Sequence, residues 1–118
     1  MDLEQSIKQY SEKNGYPISD FAEVHCDCGS NKFHLYSDDD NGGAYIVCSK
    51  CKKEMNIENS KEYIEEEVNN ICNCDNDSLN IAIGKAFYPY SKDPRWVYVG
   101  AKCDQCGLSG VYVDWKEN

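Results

Sequence analysis

The stretch that decides the fold starts with Cys26-Asp27-Cys28 and ends with Cys48-Ser49-Lys50-Cys51. It combines a C-x-C motif with a C-x-x-C motif across 19 intervening residues, 29 to 47. The same order returns later as Cys72-Asn73-Cys74 and Cys103-Asp104-Gln105-Cys106, across 28 intervening residues, 75 to 102. Eight cysteines placed at random would rarely repeat this order, so the sequence indicates an internal repeat.

Two close cysteine pairs supply the donors that a structural zinc site requires. Zn²⁺ prefers four soft ligands in a tetrahedron, and four thiolates leave no open position for water or substrate. We therefore predict one Zn²⁺ in each half, two per chain. Iron also suits four thiolates and stays open as an alternative. The predicted metal ligands are Cys26, Cys28, Cys48, Cys51, Cys72, Cys74, Cys103 and Cys106.

The first residues of the sequence favour reduced cysteines over disulfides. Residues 1–6 show neither the basic nor the apolar segment of a secretory signal, and no apolar run approaches a membrane span. We therefore expect a cytoplasmic protein without membrane association, in a compartment where structural disulfides are rare. Metal-free disulfides and a redox-active C-x-x-C are the less favoured alternatives, the latter because a βαβ pattern is absent.

The two histidines are not expected to bind metal. His25 adjoins Cys26, but Ile71 stands at the corresponding place in the second half. His34 lies in an alternating, strand-like stretch. Neither histidine has a counterpart in the other half, so both are left out of the predicted metal sites.

Composition indicates a small acidic protein that needs a structural staple. The 118 residues include 21 acidic and 12 basic side chains, for a formal charge of −9. Eight thiolates and two Zn²⁺ ions would make the loaded protein more negative still, about −13. Such a field repels phosphate backbones and favours basic partners. A chain of this size with few aliphatic residues typically relies on a metal or on disulfides.

Short alternating segments around the cysteine motifs predict β-strands. The segments 33–36, 44–47 and 54–57 accompany the first set, and 79–83, 95–101 and 110–115 accompany the second. We therefore predict a small, metal-stabilised, mainly β fold. It consists of two tandem zinc-ribbon-like modules, each a three-stranded antiparallel sheet. The acidic run 38–40 is expected to form a solvated hairpin tip.

Two short helices complete the predicted fold. Leu3, Ile7 and Tyr10 form one helical stripe that stops at Asn14-Gly15, and this helix is expected to pack on the first ribbon. Ser60 is an N-cap candidate for a short linker helix. The predicted segments are 1–19 for the N-terminal helix and lead-in, 20–58 for the first zinc ribbon, 59–70 for the helical linker and 71–118 for the second zinc ribbon.

Several motifs carry a resemblance to a known group of proteins. They are Trp96-Val97-Tyr98-Val99-Gly100, Cys103-x-x-Cys106-Gly107 and Gly110-Val111-Tyr112-x-Asp114-Trp115-Lys116, with Cys26-x-Cys28-Gly29-Ser30 and Phe33 in the first half. Over residues 20–116 the chain resembles small, uncharacterised bacterial proteins with tandem four-cysteine zinc-ribbon-like modules. The resemblance implies a bacterial source and zinc, and it implies no activity. The chain departs from the expected pattern at Asp75, where a glycine would follow the second C-x-C.

The favoured function is non-catalytic recognition of another protein through an acidic, aromatic surface. One specific version is an immunity protein that neutralises a basic toxin, since charge complementarity speeds capture. Self-association through a sheet edge, giving a homodimer, is a further option. The candidate partner-binding residues are Tyr88, Tyr90, Trp96, Tyr98, Trp115, Glu65 and Glu66.

Two other classes of function are weaker. Zinc ribbons often bind nucleic acid or serve transcription, but the acidic charge disfavours nucleic acid, whose binding calls for clustered basic residues. An enzyme is not expected, because the sequence shows no Ser-His-Asp set, no glycine-rich phosphate loop and no H-E-x-x-H motif. No catalytic residue is therefore predicted.

Overall fold

The computed structural model describes residues 2–117, so residues 1 and 118 of the predicted end segments lie outside the described part. It is mainly β, as predicted, with one helix, α1, at Leu3–Asn14. The eight strands are β1 Asp20–Glu23, β2 Phe33–Asp38, β3 Gly43–Cys48, β4 Glu54–Asn56, β5 Val68–Asn70, β6 Leu79–Phe87, β7 Pro94–Cys103 and β8 Ser109–Lys116. No helix within residues 2–117 is long and apolar enough to cross a membrane.

The two predicted three-stranded antiparallel modules are present. Strands β2, β3 and β4 form the first module, and β6, β7 and β8 form the second. The modules are built in the same register: Phe33 pairs with Cys48 in the first, and Leu79 pairs with Cys103 in the second. Each position of the first module therefore has a structural equivalent in the second.

The modules are joined into one eight-stranded sheet with an approximate twofold arrangement. Strand β2 pairs with β6 through Phe33 and Leu79, which are equivalent positions, as a twofold axis at this point requires. Each lead-in strand pairs with the other module: β1 with β6, and β5 with β2. The order along the main path is β4-β3-β2-β6-β7-β8.

One hydrophobic core serves both modules. Buried residues of the first module, including Phe33, Leu35 and Ile46, belong to the same cluster as Ile81 and Val99 of the second. A buried cysteine from each C-x-C and each C-x-x-C motif lies in that cluster too. The two ribbons therefore pack together as a single body and are not hinged.

Helix α1 packs on the second module, so the expected packing on the first ribbon is wrong. The helix itself begins and ends as predicted, with a capping box between Asp2 and Gln5 and a left-handed Gly15, φ 86°, at its end. Ile7 lies over Gly84 and Gly100 of β6 and β7, where an added Cβ would come within 2.7 Å of its carbons.

The first module cannot accept the helix in the same way. Its positions equivalent to Gly84 and Gly100 are Asp38 and Tyr45, by the shared register of the two modules. The Tyr45 side chain is buried, stacks on Tyr36 and donates its hydroxyl hydrogen bond to Glu67, so this position lacks the opening that a glycine leaves. The two glycines therefore give the second module room for Ile7 that the first module lacks at the equivalent positions.

The predicted linker helix is reduced to a single 3₁₀ turn, Lys61–Tyr63, followed by strand β5. The Ser60 hydroxyl does not cap it, because it is buried and bonded to the backbone of Ala44, with the Ala44 N–H donating at 2.9 Å. The N–H groups of Glu65 and Glu66 donate to the Asp38 carboxylate, at 3.1 and 3.3 Å. These tertiary bonds replace the intrahelical bonds that a longer helix would need.

Candidate metal centres

The eight cysteines form two four-sulfur clusters, each composed as predicted. Within each cluster all four sulfur atoms lie within 4.8 Å of one another. The closest pairs are Cys26–Cys51 at 3.4 Å, Cys28–Cys48 at 3.6 Å, Cys72–Cys106 at 3.4 Å and Cys74–Cys103 at 3.4 Å. A zinc tetrathiolate with bonds of about 2.3 Å has sulfur–sulfur edges of about 3.8 Å, so each cluster could hold one such ion.

None of the eight cysteines is in a disulfide. A disulfide joins its sulfur atoms at about 2.05 Å, far closer than any pair in these clusters. The nearest sulfur pairs also connect the C-x-C motif to the C-x-x-C motif instead of lying within one motif. The donor set and its spacing fit a closed metal site of the zinc type.

Matching backbone hydrogen bonds hold the cysteines of the two clusters. The N–H of Cys26 donates to the Ser30 carbonyl at 2.8 Å, and that of Cys72 donates to the Asn76 carbonyl at 2.9 Å. In the C-x-x-C motifs the N–H of the first cysteine donates to a carbonyl five residues later, that of Lys53 or Leu108. The first cysteine of every motif is buried and the second is exposed.

A left-handed residue follows each second cysteine and turns the chain beneath the cluster. Glycine supplies this conformation at Gly29, φ 93°, and at Gly107, φ 78°. Lys52 and Asp75 supply it at the equivalent places, with φ of 68° and 71°. Asp75 therefore keeps the turn for which a glycine is expected, at the steric cost that a Cβ brings in this region.

Hydrogen bonds to sulfur favour the thiolate form of one buried cysteine in each cluster. The backbone N–H of Cys51 donates to the Cys48 sulfur and lowers the pKa of Cys48 to about 6. The Asn76 amide donates to the Cys103 sulfur at 3.3 Å and, with the backbone N–H of Cys106, lowers the pKa of Cys103 to about 6. Donation to the charged form is the physical cause in both cases, and it prepares the sulfur for metal binding.

The surroundings of the two clusters differ sharply in charge. Residues 26–30 and 48–53 around the first cluster hold three lysines, Lys50, Lys52 and Lys53, against one aspartate. This excess of two positive charges would cancel the two negative charges that a zinc tetrathiolate keeps. The equivalent residues 72–76 and 103–108 hold only Asp75 and Asp104, which would bring the loaded second cluster to −4.

Neither histidine belongs to a four-sulfur cluster. The His34 ring nitrogen Nδ1 lies 3.0 Å from the Asp77 carbonyl oxygen, across the junction of the two modules. The equivalent contact, from the Asn80 amide to the Asn31 carbonyl, has the same length of 3.0 Å. His25 is exposed, and the metal-competent groups within residues 2–117 contain cysteines alone.

The candidate partner-binding residues do not gather at one place. Tyr98 is fully buried and Trp115 is 8% exposed, so both rings belong to the core of this structure. Trp96 is partly buried, stacks on Tyr16 at 4.8 Å between ring centroids, and donates its indole N–H to Asp114 at 2.8 Å. Tyr88 is partly buried as well, whereas Tyr90, Glu65 and Glu66 are exposed.

Two surface features of the structure were not predicted from the sequence. The acidic run 38–40 meets the glutamates 66–67 across a shallow cleft, although nothing local in either run indicates the other. Exposed Ile71 and Leu108 line a groove beside the second cluster. A position-by-position comparison of the repeats would have exposed the second feature, because Ile71 replaces His25 and Leu108 replaces Lys53.

No protein-family model, curated protein or solved structure matches this chain significantly. The two four-cysteine clusters support tandem zinc-binding modules, and they carry that conclusion on their own geometry. The bacterial source that the resemblance implies stays a prediction.

Proposed function

We propose that this chain is a non-catalytic, zinc-stabilised protein that recognises a basic protein through an acidic surface. Four thiolates would close each metal shell, which suits a structural role and not a catalytic one. The observation that carries the proposal is the acidic cleft, defined here by Asp38–Asp40 on one side and Glu66–Glu67 on the other.

The cleft is built by tertiary contacts and not by local sequence. Asp38 is 5% exposed, so the expected solvated tip is wrong for this residue, whereas Asp39 and Asp40 are exposed as expected. The Asp38 carboxylate binds the tip through Asn41, whose amide donates at 2.8 Å, and binds the connector through the N–H of Glu65. These bonds fix the two acidic runs beside a cavity of about 290 Å³.

One carboxylate of the cleft, that of Asp39, has surroundings that disfavour its charged form. Desolvation by the surrounding protein and the neighbouring charges of Asp114 and Asp40 raise the pKa of Asp39 above its ordinary value, although the residue keeps an exposed surface. The Tyr45 hydroxyl donates to Glu67 at 2.8 Å and holds that carboxylate at the cleft. Lysine or arginine side chains of a partner would supply the missing positive charge.

The specific version of the proposal is an immunity protein that neutralises a basic toxin. Toxic nucleases need basic surfaces to bind phosphate backbones, and an acidic inhibitor is steered toward such surfaces. The overall charge of −9 adds a long-range attraction to the local one at the cleft.

The test uses a cleft variant that lacks four of the five carboxylates, and a matched control. Asp39→Asn, Asp40→Asn, Glu66→Gln and Glu67→Gln together remove four charges from the cleft. The control removes four exposed charges elsewhere: Glu4→Gln, Glu12→Gln, Asp20→Asn and Glu23→Gln. We expect basic proteins to be captured from a lysate by wild type and the control but lost on the cleft variant, with capture weakened by salt. Equal capture by both variants would overturn the role of the cleft.

A nucleic-acid-binding or transcription-associated role is the second candidate. It is favoured by the three lysines at the first cluster, although Lys53 is already paired with Asp27 at 2.7 Å. Fluorescence anisotropy with labelled single- and double-stranded oligonucleotides distinguishes the two. Binding that falls with salt and is lost in Lys50→Gln/Lys52→Gln would favour this role over protein recognition.

A further inference from the structure

An exposed apolar groove lies beside the second metal cluster. It has a volume of about 340 Å³, and its lining includes Ile71, Leu108, Val111 and Tyr112. Ile71 is 50% exposed and Leu108 is 48% exposed, so each leaves about half of its side chain in water. A neighbouring depression of about 230 Å³ shares Val111 and continues toward α1.

The first module shows that the fold does not require these apolar side chains. Leu108 and Lys53 are equivalent, because each carbonyl accepts the N–H of the buried cysteine of its C-x-x-C motif. Ile71 and His25 are equivalent, because each directly precedes the first cysteine of a C-x-C motif. The same turns therefore form with a lysine and a histidine, and the apolar pair in the second module points to contact with another molecule.

The groove adjoins the second cluster through Asn73, which lines it and lies between Cys72 and Cys74, so the charge of the cluster bears on what the groove can bind. Asp75 is exposed, and the second sulfurs of both motifs, on Cys74 and Cys106, are exposed as well. Lys32 pairs with Asp104 at 2.7 Å and offsets one charge, which leaves the loaded cluster and its neighbours at about −3. A second copy of this chain would carry the same negative net charge, −9 without metal and more negative with zinc. Repulsion between the two copies therefore opposes self-association at this groove.

We propose that this groove, formed by Ile71, Leu108, Val111 and Tyr112, docks a short segment of a partner protein. The segment places an aliphatic side chain against Ile71 and Leu108 and a lysine or arginine beside Asp75 and the exposed thiolates. This inference rests on the proposed protein-recognition function, but the groove shares no residue with the acidic cleft.

The experiment selects peptides on the zinc-loaded full chain. A phage library of random peptides of about twelve residues is panned in parallel on wild type and on Leu108→Lys, which installs the side chain of the first module. We expect wild type to enrich peptides that join an aliphatic residue to lysine or arginine. Leu108→Lys and Ile71→His should each weaken the enriched peptide at least about tenfold. Tyr63→Lys changes a 57% exposed aromatic side chain that lines neither the groove nor the acidic cleft, and this variant should bind as wild type does.

Three results would overturn the proposal that the groove docks a partner segment. Enrichment of the same peptides on Leu108→Lys, or no enrichment over that variant, would show that the groove selects nothing. Loss of the peptides on the cleft variant that lacks four carboxylates, but not on Leu108→Lys, would place recognition at the cleft, and the proposed function would stand without the groove. A wild type that sediments as a dimer, with Leu108→Lys as a monomer, would make the occupant a second copy.

Discussion

The two modules share one backbone plan but differ in what surrounds it. Both hold four cysteines on equivalent turns, and both receive the lead-in strand of the other. The first carries lysines at its cluster and a buried tyrosine, Tyr45, on its sheet, whereas the second carries aspartates and two glycines that admit a helix. The comparison shows that the same cysteine framework and strand pairing can carry different residues around each cluster and on each sheet.

The largest expected effect tests whether the two modules fold as one cooperative unit. Replacing buried Cys103 by serine removes a ligand, and the binding energy of a structural zinc, about 10–16 kcal/mol in small domains, is folding energy. Because the modules share one core, we expect Cys103→Ser to disorder both, and equivalent Cys48→Ser to do the same. Amide NMR spectra and metal content per chain measure this. One native half that keeps one zinc would show that the modules fold independently.

The next effect tests why the helix prefers the second module. A Cβ on Gly100 would lie 2.7 Å from two Ile7 carbons, so Gly100→Ala should lower the free energy of unfolding by about 1–3 kcal/mol. Ile7→Ala in the same chain should recover part of the loss by making room. Gly110→Ala is the control, because nothing lies within 4 Å of its added Cβ. Urea unfolding at fixed free zinc gives the comparison, and equal effects of the two alanines would contradict it.

A smaller effect separates two neighbouring aspartates of the first module. Hydrogen bonds, chiefly from the Asn41 amide and the Glu65 N–H, lower the pKa of Asp38 to about 2, whereas burial and nearby carboxylates raise the pKa of Asp39. Asp38→Ala should therefore lower the Tm by several degrees, roughly 3–6 °C, and Asp39→Ala should leave it unchanged or slightly raised. Both should fall well short of Cys103→Ser. Calorimetry at neutral pH and fixed zinc checks the order, and equal mild shifts for all three would refute it.

The smallest effect exchanges the turn residues of the two modules. Asp75→Gly removes the Cβ from a left-handed residue and should stabilise the second cluster by about 0.5 kcal/mol, after the entropic cost of glycine. Gly29→Asp, the reverse exchange in the first module, should weaken its cluster by a similar amount. Competition with a graded series of zinc chelators measures both. A weaker cluster in Asp75→Gly would indicate that the carboxylate itself supports the turn.

Much of this architecture was accessible from local sequence. The ligands follow from the number and spacing of thiol donors, because a close pair on a tight turn presents two sulfurs to one ion. The six module strands and α1 follow from apolar periodicity and from the Asn14-Gly15 stop. The burial of Tyr98 and Trp115 did not follow, because an aromatic ring fits a core and a surface equally well until its neighbours are known.

The sequence by itself determined the two metal sites, the repeat, the strands and the presence of the helix, because each depends on residues close together in the chain. Only the tertiary structure decided where those parts go. Gly84 and Gly100 leave room for Ile7 on the second module, and the Asp38 carboxylate accepts the N–H groups of Glu65 and Glu66 where a linker helix was expected. Pairing of equivalent strands at Phe33 and Leu79 made one body of two ribbons. These outcomes depend on contacts between distant residues, which neither propensity nor periodicity specifies.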